Sequence, residues 1–164
     1  MQEKTINALK WIISILDKHK IDYQISGGFA AKMYGSQRKL NDIDIDISEK
    51  SFTHILEDIS AYIIYGPARY KDEKWDLELI TLDYGGQEID ISGVETLKIS
   101  NKEKTKWITY PNSLSSALTV KVESMDLKII SPQKLIDYKK ELDGSNQAED
   151  VLAIEQYIIS NSLK

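Results

Sequence analysis

The stretch Asn41–Ser48, NDIDIDIS, alternates isoleucine and aspartate without a break. Side chains on a β-strand point alternately to its two faces, so this period of two predicts a strand. One face would carry only isoleucine, and the other would carry Asp42, Asp44 and Asp46. Aspartate is a poor strand former and like charges repel, so a column of carboxylates needs an explanation.

The size of the repulsion does not decide between a binding site and an ordinary surface. Successive side chains on one face of a strand lie about 6.7 Å apart, which gives two ionised aspartates a repulsion of about 2.5 kcal/mol at an effective dielectric constant of about 20. In bulk water the repulsion is only about a quarter of that. A solvated outer face of the sheet therefore remains an alternative for the D-x-D pattern alone.

A second segment repeats the alternation. QEIDIS, residues 87–92, places Asp90 on the same strand face as Glu88. If this strand lies beside the first, Asp90 faces the same space as Asp42 and Asp44. Mg²⁺ is a hard cation that takes oxygen ligands, and a few carboxylates around it lose their mutual repulsion. The two strands together predict a magnesium site.

The segment ISGGFAAKMYG reads as a short strand, a glycine turn and a helix, with Ser26, Gly27 and Gly28 at the turn. Free N–H groups at a helix N-terminus bind anions, and glycine lets a phosphate approach closely. The segment is neither a Walker A loop nor G-x-G-x-x-G, and Gly-Gly alone most often marks a turn. Arg38 could add a cation beside a phosphate or lie in a solvated loop.

The rest of the chain predicts an α+β protein. Gly85 and Gly86 join two alternating segments, which is the chemistry of a tight hairpin. Helices are predicted at 5–19, 29–35, 52–63, 132–142 and 147–159, and strands at 23–26, 41–48, 76–84, 87–92, 107–110, 118–122 and 127–130. We therefore expect a mixed, mainly antiparallel sheet flanked by helices, with further helices at the C-terminal end.

Length and composition limit the number of domains and the class of protein. The 164 residues suit a single domain, with a catalytic core at about 1–95 and extra strands and helices at about 96–164. A net charge of -5 argues against a protein that coats nucleic acid. The chain has no cysteine, and its amphipathic N-terminus is neither a signal peptide nor a membrane span. A cytoplasmic protein without a membrane partner is expected.

The combined pattern resembles the nucleotidyltransferase superfamily of polymerase-beta type. Its elements are Gly27-Gly28, then thirteen residues, then Asp42-Ile43-Asp44, with Ile89-Asp90-Ile91 further along the chain. Within this superfamily, small lincosamide-type antibiotic nucleotidyltransferases and related uncharacterised bacterial proteins are most similar. The segment KIISPQKLIDYKKEL and a following helix with Asp150 also resemble the end of that group.

The resemblance implies a role for each matching residue. Asp42 and Asp44 match a pair that bridges two Mg²⁺ ions, and Asp90 matches a third carboxylate that holds the catalytic metal and helps to deprotonate the acceptor hydroxyl. The loop of Ser26, Gly27 and Gly28 matches one that cradles the triphosphate of an NTP, for which ATP is expected, while Arg38 and Lys139 match basic positions beside it. The sequence departs from the pattern at Asn146-Gln147, where Lys-Asp is usual, and at Leu40, where Thr or His is common.

Three functions follow as hypotheses. The first is Mg²⁺-dependent transfer of a nucleoside monophosphate to a hydroxyl of a small molecule such as an antibiotic. The second keeps this chemistry with an RNA or protein acceptor, as in toxin-antitoxin relatives, although nucleic acid is not the favoured partner. The third is a non-catalytic nucleotide-binding module. A homodimer could complete the acceptor pocket, and Asp46 is the open question at the metal site.

Overall fold

The computed structural model describes residues 1–110 and 114–162. Within these residues the helices are α1 (Glu3–Lys18), α2 (Gly27–Met33), α3 (Phe52–Ile59), α4 (Pro132–Lys139) and α5 (Ser145–Ser162). The strands are β1 (Tyr23–Ile25), β2 (Asp42–Ile47), β3 (Ile63–Lys71), β4 (Trp75–Tyr84), β5 (Gln87–Gly93), β6 (Lys98–Ser100), β7 (Trp107–Thr109), β8 (Leu118–Val122) and β9 (Met125–Ile129). None of these helices combines the length and the apolar character needed to cross a membrane.

All nine strands belong to one sheet. Its order is β7-β6-β4-β5-β2-β1-β9-β8, and β3 pairs with β4 outside this path. The pairs β2·β5 and β1·β9 are parallel, whereas the six other pairs are antiparallel. The prediction of an α+β fold with a mixed, mainly antiparallel sheet and flanking helices is confirmed.

The isoleucine faces of β2 and β5 lie in the hydrophobic core. Each of these side chains has 0% exposure: Ile43, Ile45, Ile47, Ile89 and Ile91. Helix α1 adds Leu9, Ile12 and Leu16 to the same core cluster. Burial of such a side chain contributes roughly 1.5–3 kcal/mol. The core therefore fixes the register of both strands and leaves their carboxylates on the opposite face.

The predicted helix at 52–63 is wrong over its last residues. Helix α3 ends at Ile59, and a 3-10 turn then leads into strand β3, which the sequence analysis does not predict. Gly66 and Pro67 argue against a strand there, because proline cannot donate a hydrogen bond to a sheet ladder and glycine weakens a strand interior. The strand accommodates them at register shifts against β4, which is the one strand that pairs with β3 among the residues the structure describes.

Another strand lies inside the lysine-rich segment 98–106, where no strand is predicted from the sequence. Residues Lys98–Ser100 form β6 and pair with both β4 and β7. The remaining turn is organised by Asn101, whose side-chain oxygen accepts hydrogen bonds from the backbone N–H groups of Thr105 at 2.8 Å and Lys106 at 2.9 Å. The lysines here thus flank a strand and a tight turn.

Candidate active site

Three carboxylates converge where β2 and β5 run side by side. The parallel register places Asp44 directly opposite Asp90, and Asp42 opposite Glu88. One oxygen from each of Asp42, Asp44 and Asp90 lies within 4.8 Å of the others. We call these three side chains the carboxylate cluster. The structure thus brings together the acids that the two alternating segments place on matching faces.

The carboxylate cluster is electrostatically strained without a cation. Burial, followed by repulsion from Asp42 and Asp90, raises the pKa of Asp44 to about 8. Burial also raises the pKa of Asp90, although the Thr81 hydroxyl opposes this by donating a hydrogen bond of 2.6 Å to its carboxylate. A divalent cation with oxygen ligands would offset this repulsion, so the donor set fits Mg²⁺.

The raised pKa predicts a dependence of stability on pH in metal-free protein. Between the ordinary pKa of 3.8 and about 8, folded Asp44 keeps a proton that the unfolded chain has lost, so stability falls as pH rises through this window. We expect Asp44→Asn, in EDTA, to raise Tm by several degrees at pH 8.5 and by much less at pH 5. Asp22→Asn is the matched control, because the Asp22 side chain is 84% exposed. An equal gain at both pH values would contradict the expectation.

The glycine turn lies against the carboxylate cluster. Gly27 has a φ of +57°, and a Cβ at this position would stand 1.6 Å from the Oδ2 atom of Asp44. A Cβ at Gly28 would stand 2.2 Å from the Nη2 atom of Arg38. Glycine is therefore favoured at Gly27 by both close approach and backbone conformation, whereas a side chain at Gly28 would displace the Arg38 guanidinium.

Tyr138 of α4 covers the turn and is a site residue that the sequence analysis misses. The Gly27 N–H donates a hydrogen bond of 2.8 Å to its hydroxyl oxygen. Burial, followed by the negative charges of Asp44 and Asp46, raises the pKa of Tyr138 well above its ordinary value, so it stays a neutral phenol. A tyrosine next to a predicted basic residue carries no local sequence signal for this contact.

The two predicted basic residues share one buried acid. Asp150, with 0% exposure, accepts hydrogen bonds from the Nε atom of Arg38 at 2.9 Å and the Nζ atom of Lys139 at 2.8 Å. The Ser36 hydroxyl donates a third at 2.7 Å. Lys139 also donates to the side chain of Gln147 at 2.9 Å, a member of the Asn146-Gln147 pair at which the sequence departs from the pattern it resembles. We call Arg38, Lys139 and Asp150 the buried ion cluster.

Asp46 is not one of the three acids of the carboxylate cluster, although its charge also raises the pKa of Asp44. It is 5% exposed and accepts hydrogen bonds from Gln24 at 3.0 Å and from the Ser26 hydroxyl at 3.2 Å. These contacts tie β2 to β1 and to the start of the glycine turn. The geometry favours a supporting role for Asp46 over a place among the metal ligands.

All eight predicted site residues line one cleft of about 740 Å³. They are Ser26, Gly27, Gly28, Arg38, Asp42, Asp44, Asp90 and Lys139. Small-molecule sites have volumes of roughly 300–1,000 Å³. The cleft is thus of a size for a bound small molecule, with the carboxylate cluster on its sheet wall and the glycine turn beside it.

A sheet that carries paired acids on one strand, a third acid on its neighbour and an adjacent glycine turn defines the nucleotidyltransferase class of enzyme. The family model of aminoglycoside-2''-adenylyltransferase matches residues 8–154, and the chain belongs to this family. It is a nucleotidyltransferase, as the sequence resemblance indicates. No curated protein sequence matches the chain significantly.

Solved structures share the fold at low sequence identity. A Thermotoga maritima protein assigned as a nucleotidyltransferase is 16% identical with a TM-score of 0.68, over 99% of this chain and 92% of that chain. ANT(2'')-Ia in complex with adenylyl-2''-tobramycin is 12% identical with a TM-score of 0.62, over 97% and 95%. The lincosamide adenylyltransferase LnuA with lincomycin bound is 12% identical with a TM-score of 0.59, over 91% and 95%.

Proposed function

We propose that this protein transfers a nucleoside monophosphate from an NTP, with ATP as the first choice, to a hydroxyl group of a small molecule, with release of pyrophosphate. The observation that carries this proposal is the convergence of Asp42, Asp44 and Asp90 beside a glycine turn. The structures of ANT(2'')-Ia and LnuA contain an adenylylated antibiotic and an antibiotic, respectively. Antibiotics with free hydroxyl groups are therefore the first acceptors to test.

The carboxylate cluster would hold two Mg²⁺ ions, which supply positive charge to phosphate oxygens when bound. Asp90 has a further task in this proposal. Its orientation is fixed by Thr81 at 2.6 Å, and its raised pKa suits a base that accepts the proton of the acceptor hydroxyl. The acceptor oxygen then forms a bond to the α-phosphorus while the bond from that phosphorus to the bridging oxygen of pyrophosphate breaks.

The side of the cleft that carries the glycine turn suits the triphosphate. The turn can offer backbone N–H groups to phosphate oxygens, and at Gly27 a phosphate oxygen would replace the Tyr138 hydroxyl that now accepts its hydrogen bond. The buried ion cluster contains two basic side chains and one acid, so its formal charge is positive when all three are ionised. A positive wall beside the turn would favour an anionic nucleotide.

A pyrophosphate-release screen tests the proposal. We expect release with Mg²⁺, one of the four NTPs and a mixture of hydroxylated antibiotics, and we expect EDTA to remove it. Release should depend on both nucleotide and acceptor, because the acceptor supplies the attacking oxygen. Binding of Mg²⁺ and NTP without any acceptor-dependent pyrophosphate would instead favour a nucleotide-binding module.

A matched pair of glycine variants controls for general damage to the fold. Gly27→Ala would place a methyl group onto Asp44, whereas Gly35→Ala meets nothing within 4 Å, although Gly35 also has a positive φ of +108°. We expect Gly27→Ala to lose pyrophosphate release and Gly35→Ala to retain most of it. Equal losses would show that backbone strain, and not the site, limits activity.

A further inference from the structure

The sheet face that carries the carboxylate cluster continues beyond β5 as an apolar surface. In the antiparallel register, Thr81 of β4 lies opposite Asp90, and Leu79 lies opposite Ser92. Paired residues in a sheet point to the same face. The face therefore passes from Asp90 onto β4, and from there onto β3 and β6, which both pair with β4.

This surface consists of aromatic and aliphatic side chains. We call it the β4 platform, and its members line the cleft: Tyr70, Trp75, Leu77, Leu79, Leu97 and Ile99. Leu77 and Ile99 are 5% and 1% exposed, so the accessible area of the platform comes mainly from Tyr70, Trp75, Leu79 and Leu97. Register supports the grouping, because Tyr70 lies opposite Leu77 and Trp75 lies opposite Ile99. The platform begins one strand away from the carboxylate cluster.

The β4 platform has little charge to offer a ligand. Among the described residues that line the cleft, Asp137 on α4 is the only acid outside β2 and β5. Asp76 belongs to β4 but alternates to the other face, where Arg69 donates two hydrogen bonds of 2.6 Å to its carboxylate. The acid in contact with a platform member is Asp72, and its carboxylate already accepts hydrogen bonds from the Tyr70 hydroxyl at 2.9 Å and from the backbone N–H groups of Lys74 and Trp75 at 2.7 Å. An ammonium group placed on the platform would thus lose water and compete with these partners for this carboxylate.

The geometry of phosphoryl transfer indicates the side from which the acceptor approaches the phosphorus. In an in-line displacement the attacking oxygen and the leaving group stand on opposite sides of the phosphorus. The glycine turn, which follows β1, abuts Asp44 on one side of β2, whereas Asp90 is on β5 at the other side. With pyrophosphate at the turn, the acceptor approaches over β5 and β4.

We propose that the β4 platform is the acceptor subsite and that it selects a neutral or singly charged hydroxylated molecule with an apolar or aromatic face over a polycation. This inference rests on the proposed function for the direction of attack, but the platform itself is defined by register and cleft lining. An aromatic ring laid on it gains buried apolar area and contact with Trp75 and Tyr70. A polyamine has no aromatic face to bury, and an ammonium group over these rings gains only a cation–π contact.

Three probes separate these ligand classes. Methyl glucoside and p-nitrophenyl glucoside carry the same sugar and differ in the aromatic ring, while tobramycin is a polycation. We expect ligand-observed NMR titrations to show p-nitrophenyl glucoside binding at least about tenfold more tightly than methyl glucoside, a factor equivalent to about 1.4 kcal/mol, and more tightly than tobramycin. Tobramycin as the tightest ligand, or no advantage from the ring, would overturn the inference.

Two variants test whether the aromatic ring of p-nitrophenyl glucoside binds on the β4 platform. Trp75→Ala and Tyr70→Ala should each remove most of the advantage of the aryl glucoside, and the second keeps the test valid if the first misfolds, since Tyr70 is 37% exposed. Trp107→Ala is the matched control, because Trp107 is 40% exposed on neighbouring β7 and is not part of the cleft lining. An advantage that survives in both platform variants, or is lost equally in the control, would overturn the assignment.

The design distinguishes this inference from the proposed function. Titrations run with and without Mg²⁺ and a non-hydrolysable ATP analogue, whose own binding is followed by thermal shift. Absence of nucleotide binding would count against the proposed function, yet the ranking of the probes would still test the platform. Nucleotide binding with a ranking that favours tobramycin would leave the proposed function intact and remove the acceptor class.

Discussion

Asp90→Asn is expected to lower the rate of nucleotidyl transfer by at least about a thousandfold while the protein stays folded. Asparagine keeps the shape of the side chain and can still accept the hydrogen bond from Thr81, so the strand pairing has no reason to change. What is lost is one of three charges in the proposed metal site together with the proposed base. General-base loss alone is worth about 10²–10⁴ in rate.

Glu88→Gln is the matched control for this experiment. Glu88 lies two residues earlier on the same face of β5, lines the same cleft and is paired with Asp42 in register. It is outside the carboxylate cluster, so its variant should keep at least about a tenth of the activity. The rate of pyrophosphate release at saturating Mg²⁺ measures both variants. An Asp90→Asn enzyme with more than about a tenth of wild-type activity would remove Asp90 from the catalytic assignment.

The sequence predicts the two carboxylate strands because their side chains must satisfy two environments at once. Alternation in residues 41–48 and 87–92 reports a buried face and a polar face in each strand. It does not report which strands are neighbours. Strands β2 and β5 are separated in the chain by α3, β3 and β4, so their parallel pairing is set by the packing of the whole sheet.

Other parts of the fold leave no local trace in the sequence. Strand β3 contains Gly66 and Pro67, residues that normally end strands, and it forms only because β4 supplies a ladder on one side. The Tyr138 hydroxyl meets the Gly27 N–H across 111 positions of the chain. Neither the sequence of β3 nor the sequence around Tyr138 has a periodicity or a composition that indicates these pairings.

The buried ion cluster shows the same limit for charged residues. The family resemblance places Arg38 and Lys139 beside the nucleotide and Asp150 on the last helix, but the contact between Arg38 and Asp150 spans 112 positions of the chain. A charge count cannot show that Asp150 has no exposure or that Lys139 is only 2% exposed. Their burial changes the expected effect of mutation from loss of a ligand contact to loss of stability.

Asp150→Ala is therefore expected to destabilise the protein by about 3–5 kcal/mol, the usual cost of breaking a buried ion pair from one side. Lys139 would keep its charge beside the neutral Gln147 side chain and the Tyr138 ring, and Arg38, whose side chain is 12% exposed, would lose its paired acid. For a chain of this size such a change lowers Tm by roughly 6–20 °C. Thermal and urea unfolding measure it.

Glu155→Gln on the same helix provides the comparison. Glu155 pairs with Lys140 at 3.1 Å, but these side chains are 41% and 53% exposed, and such surface pairs contribute about 0–1 kcal/mol. The two variants remove one acidic charge each from α5 and differ in burial. If Asp150→Ala lowers the free energy of unfolding no more than Glu155→Gln does, the three side chains do not act as a buried unit. A large and specific loss would instead show that Asp150 holds the basic wall of the cleft in place.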